Sequence, residues 1–344
     1  MPLPKSAVTV KDIARHVGIH YTTVAHVLRD PQSPKASAST RAAVLKAAKR
    51  LGYRGNILAS SLRRGLSGLA VVLCVPEREF LYYPYYQEVL AGLQEALTRE
   101  GRALAVFGAT PETQGRLGRL IDASLYSGLL AVGPEPCPEL EKVAERVPTL
   151  QLNYRTPSKH RSWLLRDEEQ AARLSLGQLA SRGCRRLRAL FLYRHPAQAA
   201  RQEIYQRVAK EFPGMSLEFV FLSETPRILY SQAMVRELEA SFRPERAKAL
   251  ARGCEAILCL STYGELVYRQ LLAAGIDIPG KLGFLMDGLT YVERIYYPEV
   301  SRVGVATETI IAAILGHFKK PAEGKALTLP SHFLEGKTLP GPRP

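Results

Sequence analysis

Short apolar runs alternate with amphipathic segments along most of this chain, and that alternation restricts the fold more than any other feature. The runs have the length of buried strands. They lie at 69–75, 103–108, 127–133, 149–153, 188–193, 217–222, 256–260 and 282–286. The first helix between them is predicted from about Tyr86 to Glu100. Regular alternation of strands and helices predicts parallel sheets covered by helices, and residues 69–344 are numerous enough for two such sheets.

Several classes of protein are disfavoured by what the sequence lacks. No uncharged apolar run reaches about 18 residues, so no membrane span is expected. The amino terminus has no apolar core followed by a small-residue cleavage site, so secretion is not expected. The five cysteines are scattered and never spaced as CxxC, which is typical of reduced thiols and not of a zinc site. We therefore expect a cytoplasmic protein with no metal and no cofactor.

Positive charge is concentrated in the first 66 residues. This segment holds twelve Lys or Arg residues against Asp12 and Asp30, a net charge of +10, whereas the whole chain carries +15. A concentrated basic segment is the electrostatic signature of a protein that binds a polyanion such as nucleic acid. A basic surface that is merely solvated would give the same count, so the charge alone does not decide between the two.

Three short helices are predicted in this basic segment, which we call the head. Thr9 and Asp12 have the spacing of a capping box, which begins the first helix, and a glycine ends it. The second helix is predicted from Tyr21 to about Arg29, and prolines mark the loop that follows. The third helix is predicted to begin at Ser39-Thr40.

The second helix has two chemically different faces. At about 100° per residue, one face is apolar. It carries Val24, Val27 and Leu28. The opposite face carries polar groups that can meet base edges or phosphates, from Tyr21, Thr22, His26 and Arg29. A helix, a glycine-containing turn and a second helix with this division are typical of a helix-turn-helix DNA-binding domain.

Two stretches, 9–28 and 39–62, resemble the head and hinge of the lactose repressor (LacI/GalR) family. The matching positions are Asp12, Ala14, Gly18, Thr23-Val24, Val27-Leu28, Thr40-Arg41, Ala48, Leu51-Gly52-Tyr53, Asn56, Ala59 and Leu62. The rest of the chain resembles the family more weakly but in the same order. The segments that resemble the family there are 69–101, Asp167 at the start of a helix, Ala200-Arg201 before a helix, and 297–303.

The resemblance implies an all-α helix-turn-helix head and an α/β body like a periplasmic binding protein, with two Rossmann-like subdomains joined by three crossovers. The implied divisions are a DNA-binding domain at 1–54, a hinge helix or linker at 55–67, and a body for effector binding and dimerisation at 68–344. Within the body, the amino-terminal subdomain is expected at about 68–163 and 296–322. The carboxyl-terminal subdomain is expected at about 164–295 and 323–344. The resemblance also implies a homodimer that binds a pseudo-palindromic double-stranded operator.

The resemblance assigns DNA contacts residue by residue. The family's base-reading positions correspond to Tyr21, Thr22 and His26, whereas we expect Thr9, Thr23 and Arg29 to contact phosphates. In the hinge, Asn56 and Ala59 would build a short helix, and Leu62 would wedge into the minor groove. For Leu62, a place in a small satellite hydrophobic core is the alternative.

Two departures from the family pattern lie on the second helix. His20 stands where the family usually has Ser, and a histidine is a poor helix cap. Ala25-His26 replace a Ser-Arg pair, and Arg grips guanine with two hydrogen bonds whereas a neutral imidazole offers one donor and one acceptor. We therefore expect an operator that differs from the family's common one.

The effector site is less well defined by the sequence. Arg201 corresponds to a sugar-contacting arginine, and Asp287 lies near the acidic ligand residue at the end of a strand. Tyr82 and Tyr83 precede the first body helix and could stack on a sugar ring, although packing or dimer contacts would also explain them. A salt bridge is the alternative for Arg201 and Asp287. The cleft could hold a sugar-like small molecule, an unusual ligand, a protein partner or nothing.

A DNA-binding regulator, more often a repressor than an activator in this family, is the function that these features favour. A periplasmic ligand carrier is disfavoured because the chain has a complete head. An enzyme is disfavoured because no G-x-G-x-x-G between strand and helix, no phosphate-binding P-loop and no H-E-x-x-H occurs.

Overall fold

The computed structural model describes most of the chain. The described residues are 8–30, 36–53, 68–74, 84–109, 113–121, 126–133, 137–155, 157–191, 196–222, 236, 243–260, 264–288 and 297–342. The chain divides into two compact units, Met1–Gly65 and Leu66–Pro344, which contain the head and the body respectively. The predicted hinge at 55–67 lies outside the described residues. No described helix is long and apolar enough to cross a membrane.

The head contains the three predicted helices. They are Val10–Val17 (α1), Tyr21–Arg29 (α2) and Ala38–Arg50 (α3). Gly18 has a φ of 75°, a left-handed conformation that glycine adopts without strain, and this ends α1 as predicted. The third helix begins one residue before the predicted Ser39, because the hydroxyl of Ser37 accepts from the amide of Thr40 and caps it.

A small apolar core holds the three head helices together. Ile13 of α1, Val24 and Val27 of α2, and Val44 of α3 are all fully buried. They come from one stripe on each helix, as the helical period requires. The predicted apolar face of α2 is therefore the face that packs inward.

The body contains two six-stranded sheets among its described residues. The first consists of Gly68–Leu73 (β1), Leu104–Gly108 (β2), Tyr126–Val132 (β3), Thr149–Leu152 (β4), Arg161–Arg166 (β5) and Ala326–Leu329 (β11), in the order β11-β5-β4-β3-β1-β2. The second consists of Arg186–Phe191 (β6), Ser216–Phe221 (β7), Ala256–Cys259 (β8), Gly283–Asp287 (β9), Ser301–Gly304 (β10) and His332–Leu334 (β12), in the order β12-β10-β9-β8-β6-β7. All strand pairs are parallel except β10 with β12.

Helices cover both faces of each sheet. Among the described residues, the α-helices of the body are Pro84–Arg99 (α4), Leu117–Leu120 (α5), Pro138–Ala144 (α6), Glu168–Ser181 (α7), Pro196–Ala209 (α8), Pro244–Ala251 (α9), Gly264–Ala273 (α10) and Thr307–Lys319 (α11). In β1, Leu69 and Val71 pack under α4 and α11, whereas Ala70 and Val72 pack under α5 and α6. Every residue of β1 is buried because alternate side chains enter two different cores.

The chain crosses between the sheets three times, after β5, β10 and β11. The predicted architecture of two Rossmann-like halves with three crossovers is thus confirmed. The crossings come later in the chain than the expected 163/164, 295/296 and 322/323 divisions. Residues 301–304 lie in the second sheet and residues 326–329 in the first. The expected divisions were too early because β5, β10 and β11 carry too few consecutive apolar residues to be recognised as strands in the sequence.

Candidate nucleic-acid interface and polar cluster

The amino terminus of α1 is held by a reciprocal cap. Asp12 Oδ2 accepts from the Thr9 amide at 2.8 Å and from its hydroxyl at 2.6 Å, and the Asp12 amide donates to Thr9 Oγ1 at 3.3 Å. The side-chain hydrogen bond from Thr9 is the largest cause that lowers the pKa of Asp12. The hydroxyl of Thr9, a predicted phosphate contact, is therefore already used within the helix cap.

The polar face of α2 is turned outward, as predicted. Tyr21 is 48% exposed, Thr22 is also exposed, and His26 is half-buried. Together with the start of α1 they line an open groove of about 570 Å³. Its lining residues are Thr9, Val10, Lys11, Tyr21, Thr22, Ala25 and His26.

The turn before α2 contains an unusual cap. His20 Nδ1 accepts from the amide of Thr22 at a long 3.5 Å, and it lies 2.8 Å from Thr22 Oγ1. The rings of His20 and Tyr21 are 4.6 Å apart at an interplanar angle of 42°. The expectation of a weak helix cap agrees with the long amide contact, but the short contact to the hydroxyl was not foreseen.

The other predicted DNA contacts are only partly described. Thr23 is half-buried on α2, and Arg29 lies in the last turn of the same helix, where its backbone alone is described. The hinge residues Asn56, Ala59 and Leu62 lie outside the described residues.

A second group of polar side chains, which we call the polar cluster, joins the two sheets of the body. Asp287, the last residue of β9, accepts from Arg166 Nη1 at 2.5 Å and from Arg201 Nη2 at 2.6 Å. Arg201 Nε also donates to Glu168 Oε2 at 2.8 Å. Because Arg166 ends β5 of the first sheet and Asp287 ends β9 of the second, the ion pairs span both halves of the body.

Electrostatics within the polar cluster favour the charged forms. Burial raises the pKa of Asp287, but the adjacent guanidinium groups of Arg166 and Arg201 outweigh it and hold that pKa below its ordinary value. Burial lowers the pKa of Arg201, and the carboxylates of Asp287 and Glu168 reverse this and raise it well above the ordinary value. The side chains of Asp287 and Arg201 are only 14% and 16% exposed, so water screens these pairs weakly.

Further polar groups surround the cluster at the carboxyl ends of the strands. Tyr85 donates to Asn153 Oδ1 at 3.3 Å, and burial raises the pKa of Tyr85 to about 12. Arg166 Nη2 and Gln198 Oε1 are buried and have no hydrogen-bond partner among the described residues. The carboxyl edge of a parallel sheet is where α/β proteins commonly bind ligands, and unsatisfied polar atoms there are available to one.

The structure brings together some of the predicted effector residues and not others. Arg201 and Asp287 are in direct contact through a salt bridge, which was the alternative to a ligand contact. Arg201 lies inside α8 and not before a helix, because α8 already begins at Pro196. Tyr82 and Tyr83 lie outside the described residues.

Sequence reasoning missed the partners of these two residues, Arg166 and Glu168. They flank Asp167, which caps α7 as expected through its bond from the Gln170 amide. The only sequence signal for Arg166 and Glu168 was that they are neighbours of Asp167, the predicted start of a helix. Among the described residues, no group of three His, Cys, Asp or Glu side chains could hold a metal ion.

Comparison with known proteins identifies the head most directly. Residues 9–56 match the family described as "Bacterial regulatory proteins, lacI family". The HTH-type transcriptional repressor PurR of Vibrio cholerae is 24% identical over 180 residues, which are 51% of this chain and 52% of that protein. The chain is thus aligned with about half the length of this relative.

Solved structures extend the similarity to the whole fold. The lac repressor dimer bound to operator and the anti-inducer ONPF has a TM-score of 0.71 and 18% identity, over 98% of this chain and 100% of that one. The transcriptional regulator CelR in complex with cellobiose has a TM-score of 0.57 and 20% identity, over 96% and 99% of the two chains. At these identities the likeness concerns the fold.

Proposed function

We propose that this chain, whose residues 9–56 match the lacI family of bacterial regulatory proteins, is a sequence-specific transcriptional regulator of that family that binds an operator as a homodimer. The family consists of transcriptional regulators and not of enzymes. Similarity to a transcriptional repressor supports repression as the direction of control. The proposed place of action is the nucleoid in the cytoplasm.

One observation carries the proposal. Helix α2 buries Val24 and Val27 completely while Tyr21 and Thr22 are exposed on a groove-lining surface. A helix anchored by one apolar face can present the other to the major groove without losing its packing. Phenol, hydroxyl and imidazole groups can all form hydrogen bonds with base edges.

We assign the roles within the head accordingly. Tyr21, Thr22 and His26 read bases, while Thr23 and Arg29 contact phosphates. Both the amide and the hydroxyl of Thr9 donate to Asp12 Oδ2, so the proposed phosphate contact of Thr9 requires its hydroxyl to exchange that carboxylate for a phosphate oxygen. Asn56, Ala59 and Leu62 are proposed to form the hinge helix and its minor-groove wedge.

For the body we propose that a small polar molecule, such as a sugar, binds between the two halves near the polar cluster and changes operator affinity. Ligand binding shifts such an equilibrium only if it distinguishes two arrangements of the body. The polar cluster is suited to this because its ion pairs join both sheets. Arg201, Asp287, Tyr82 and Tyr83 are the proposed contacts.

The second candidate is a regulator without a small-molecule effector, controlled by a protein partner or by none. The observation that favours it is the mutual salt bridge of Arg201 and Asp287, which uses the groups that a ligand would need.

Operator selection tests the proposed function. The 344-residue chain is expected to enrich a pseudo-palindromic sequence from a random pool of duplexes. Tyr21→Ala should weaken binding to that sequence by about tenfold, the usual effect of losing a base contact. Lys210→Ala, at an exposed site in the body, is the control. Enrichment of no sequence would contradict the proposal.

A thermal-shift screen with mono- and disaccharides distinguishes the two accounts of the body. A saturable rise in melting temperature that disappears in Asp287→Asn supports a sugar effector. No shift with any of these compounds supports the second candidate.

A further inference from the structure

The groove of the head contains one hydrogen bond whose direction bears on base recognition. His20 Nδ1 lies 2.8 Å from Thr22 Oγ1, and the amide of Thr22 points to the same nitrogen at 3.5 Å. Thr22 is exposed and lines the groove. The atom that Thr22 would offer to a base is therefore also the atom that His20 contacts.

His20 Nδ1, which both the amide and the hydroxyl of Thr22 approach, determines which atom donates in the contact between the two side chains. The amide N–H of Thr22 is directed at Nδ1 from 3.5 Å, which favours the neutral tautomer that has its lone pair on Nδ1 and its hydrogen on Nε2. A nitrogen with a lone pair can only accept, so the Thr22 hydroxyl must donate its single hydrogen to His20. The free side of Oγ1 then presents lone pairs alone.

We infer that His20 is a specificity-determining residue, because it makes the hydroxyl of Thr22 an obligate hydrogen-bond acceptor at the DNA surface. This inference rests on the proposed function of the head. An acceptor in the major groove pairs with the amino group of adenine or of cytosine. It repels the O6 and N7 of guanine and the O4 of thymine, which are themselves acceptors.

The imidazole is held in place by its neighbours. His20 has an extended backbone (φ −66°, ψ 140°) at the start of α2, and its ring lies against the ring of Tyr21. A serine at this position would have a hydroxyl that both donates and accepts, so it would leave the Thr22 hydroxyl free to turn. His20 removes that freedom in the tautomer that has no hydrogen on Nδ1.

Binding-site selection with full-length variants provides the first test. Thr22→Val locates the base pair that Thr22 contacts, since preference there should disappear. At that position the unsubstituted protein should select adenine or cytosine by about fivefold, the effect of one hydrogen bond. His20→Ala should reduce this preference to less than about twofold by the same reasoning. His20→Asn, whose carbonyl oxygen can accept in the place of Nδ1, should keep it.

Imidazole nitrogen NMR provides the second test. In protein labelled with ¹⁵N-histidine, the His20 signals are those that vanish in His20→Asn. Nδ1 should have the chemical shift of an unprotonated nitrogen and Nε2 that of a protonated one. His16→Ala, which removes an exposed histidine of α1, is the control for both experiments.

The outcomes separate this inference from the proposed function. Selection of guanine or thymine opposite Thr22, an unchanged preference in His20→Ala, or a protonated Nδ1 would each overturn the role of His20 while leaving DNA binding intact. Failure to enrich any sequence would overturn both. Melting curves that match the parent for His20→Ala and His20→Asn establish that the variants fold.

Discussion

At the scale of single residues, the buried carboxylate of Asp287 is expected to stabilise the body. Asp287→Asn leaves Arg166 and Arg201 near one another without their shared carboxylate, and we expect a loss of about 3 kcal/mol in the free energy of unfolding of the body. Urea denaturation followed by circular dichroism measures it. The control is Glu218→Gln, whose carboxylate is 60% exposed beside Arg188 and should matter by less than about 1 kcal/mol.

The carboxylate of Asp287 should also make the free energy of unfolding depend on pH. Its pKa is lower in the folded protein than in the unfolded chain, so its contribution is fully present above the ordinary value of 3.8 and is lost as pH falls through the lower folded value. The difference between parent and Asp287→Asn should thus be constant near pH 7 and shrink below about pH 4. A difference that grew on acidification would contradict the assigned ion pairs.

His26 is the residue at which the expected operator departs most from that of related proteins. His26→Arg introduces two parallel donors, which match the O6 and N7 of guanine. We expect guanine to be enriched about tenfold more strongly at the facing base pair, measured by sequencing of selected duplexes. Lys210→Arg in the body is the matched control. The same selected bases in His26→Arg and parent would refute the assignment.

At the scale of secondary-structure elements, the seam between β3 and α11 has no spare room. A β-carbon on Gly128 would lie 2.1 Å from Cδ1 of Phe318. Gly128→Ala should therefore lower the free energy of unfolding by about 2 kcal/mol through overpacking. The smaller Phe318→Leu should restore part of it, and Gly316→Ala, with nothing within 4 Å, should not destabilise α11. Equal stability of Gly128→Ala and parent would show that the seam relaxes freely.

The strands differ in how well they could be predicted from the sequence. The strands that carry continuous apolar runs, such as β1 and β8, were predicted to within a few residues because burial on both faces demands such runs. Strands β5 and β10 escaped recognition. β5 begins and ends with Arg161 and Arg166, and β10 has four residues that include the fully buried Arg302.

The residues of the candidate sites also differ in how well they could be predicted from the sequence. Positions on one helix follow from its period, so the outward placement of Tyr21 and Thr22 was predictable. The ion pair of Asp287 with Arg166 was not predictable, because the two residues are separated by 121 positions in sequence. Only the topology of two sheets with adjacent carboxyl edges brings these residues into contact.

At the scale of the whole molecule, charge is distributed unevenly, and this determines how DNA affinity responds to salt. The head carries +10 of the net +15, so most of the counterions released on binding should be released by the head.

Lys11 is exposed and lines the groove beside α2. If its ammonium group meets a phosphate, Lys11→Gln should weaken binding to all duplexes alike and reduce the slope of log affinity against log salt by about 1. Lys210 of the body is also exposed, and Lys210→Gln should leave the slope unchanged. Fluorescence anisotropy over a range of potassium chloride concentrations measures both slopes, and equal slopes would place the DNA-contacting charge elsewhere than on this face of the head.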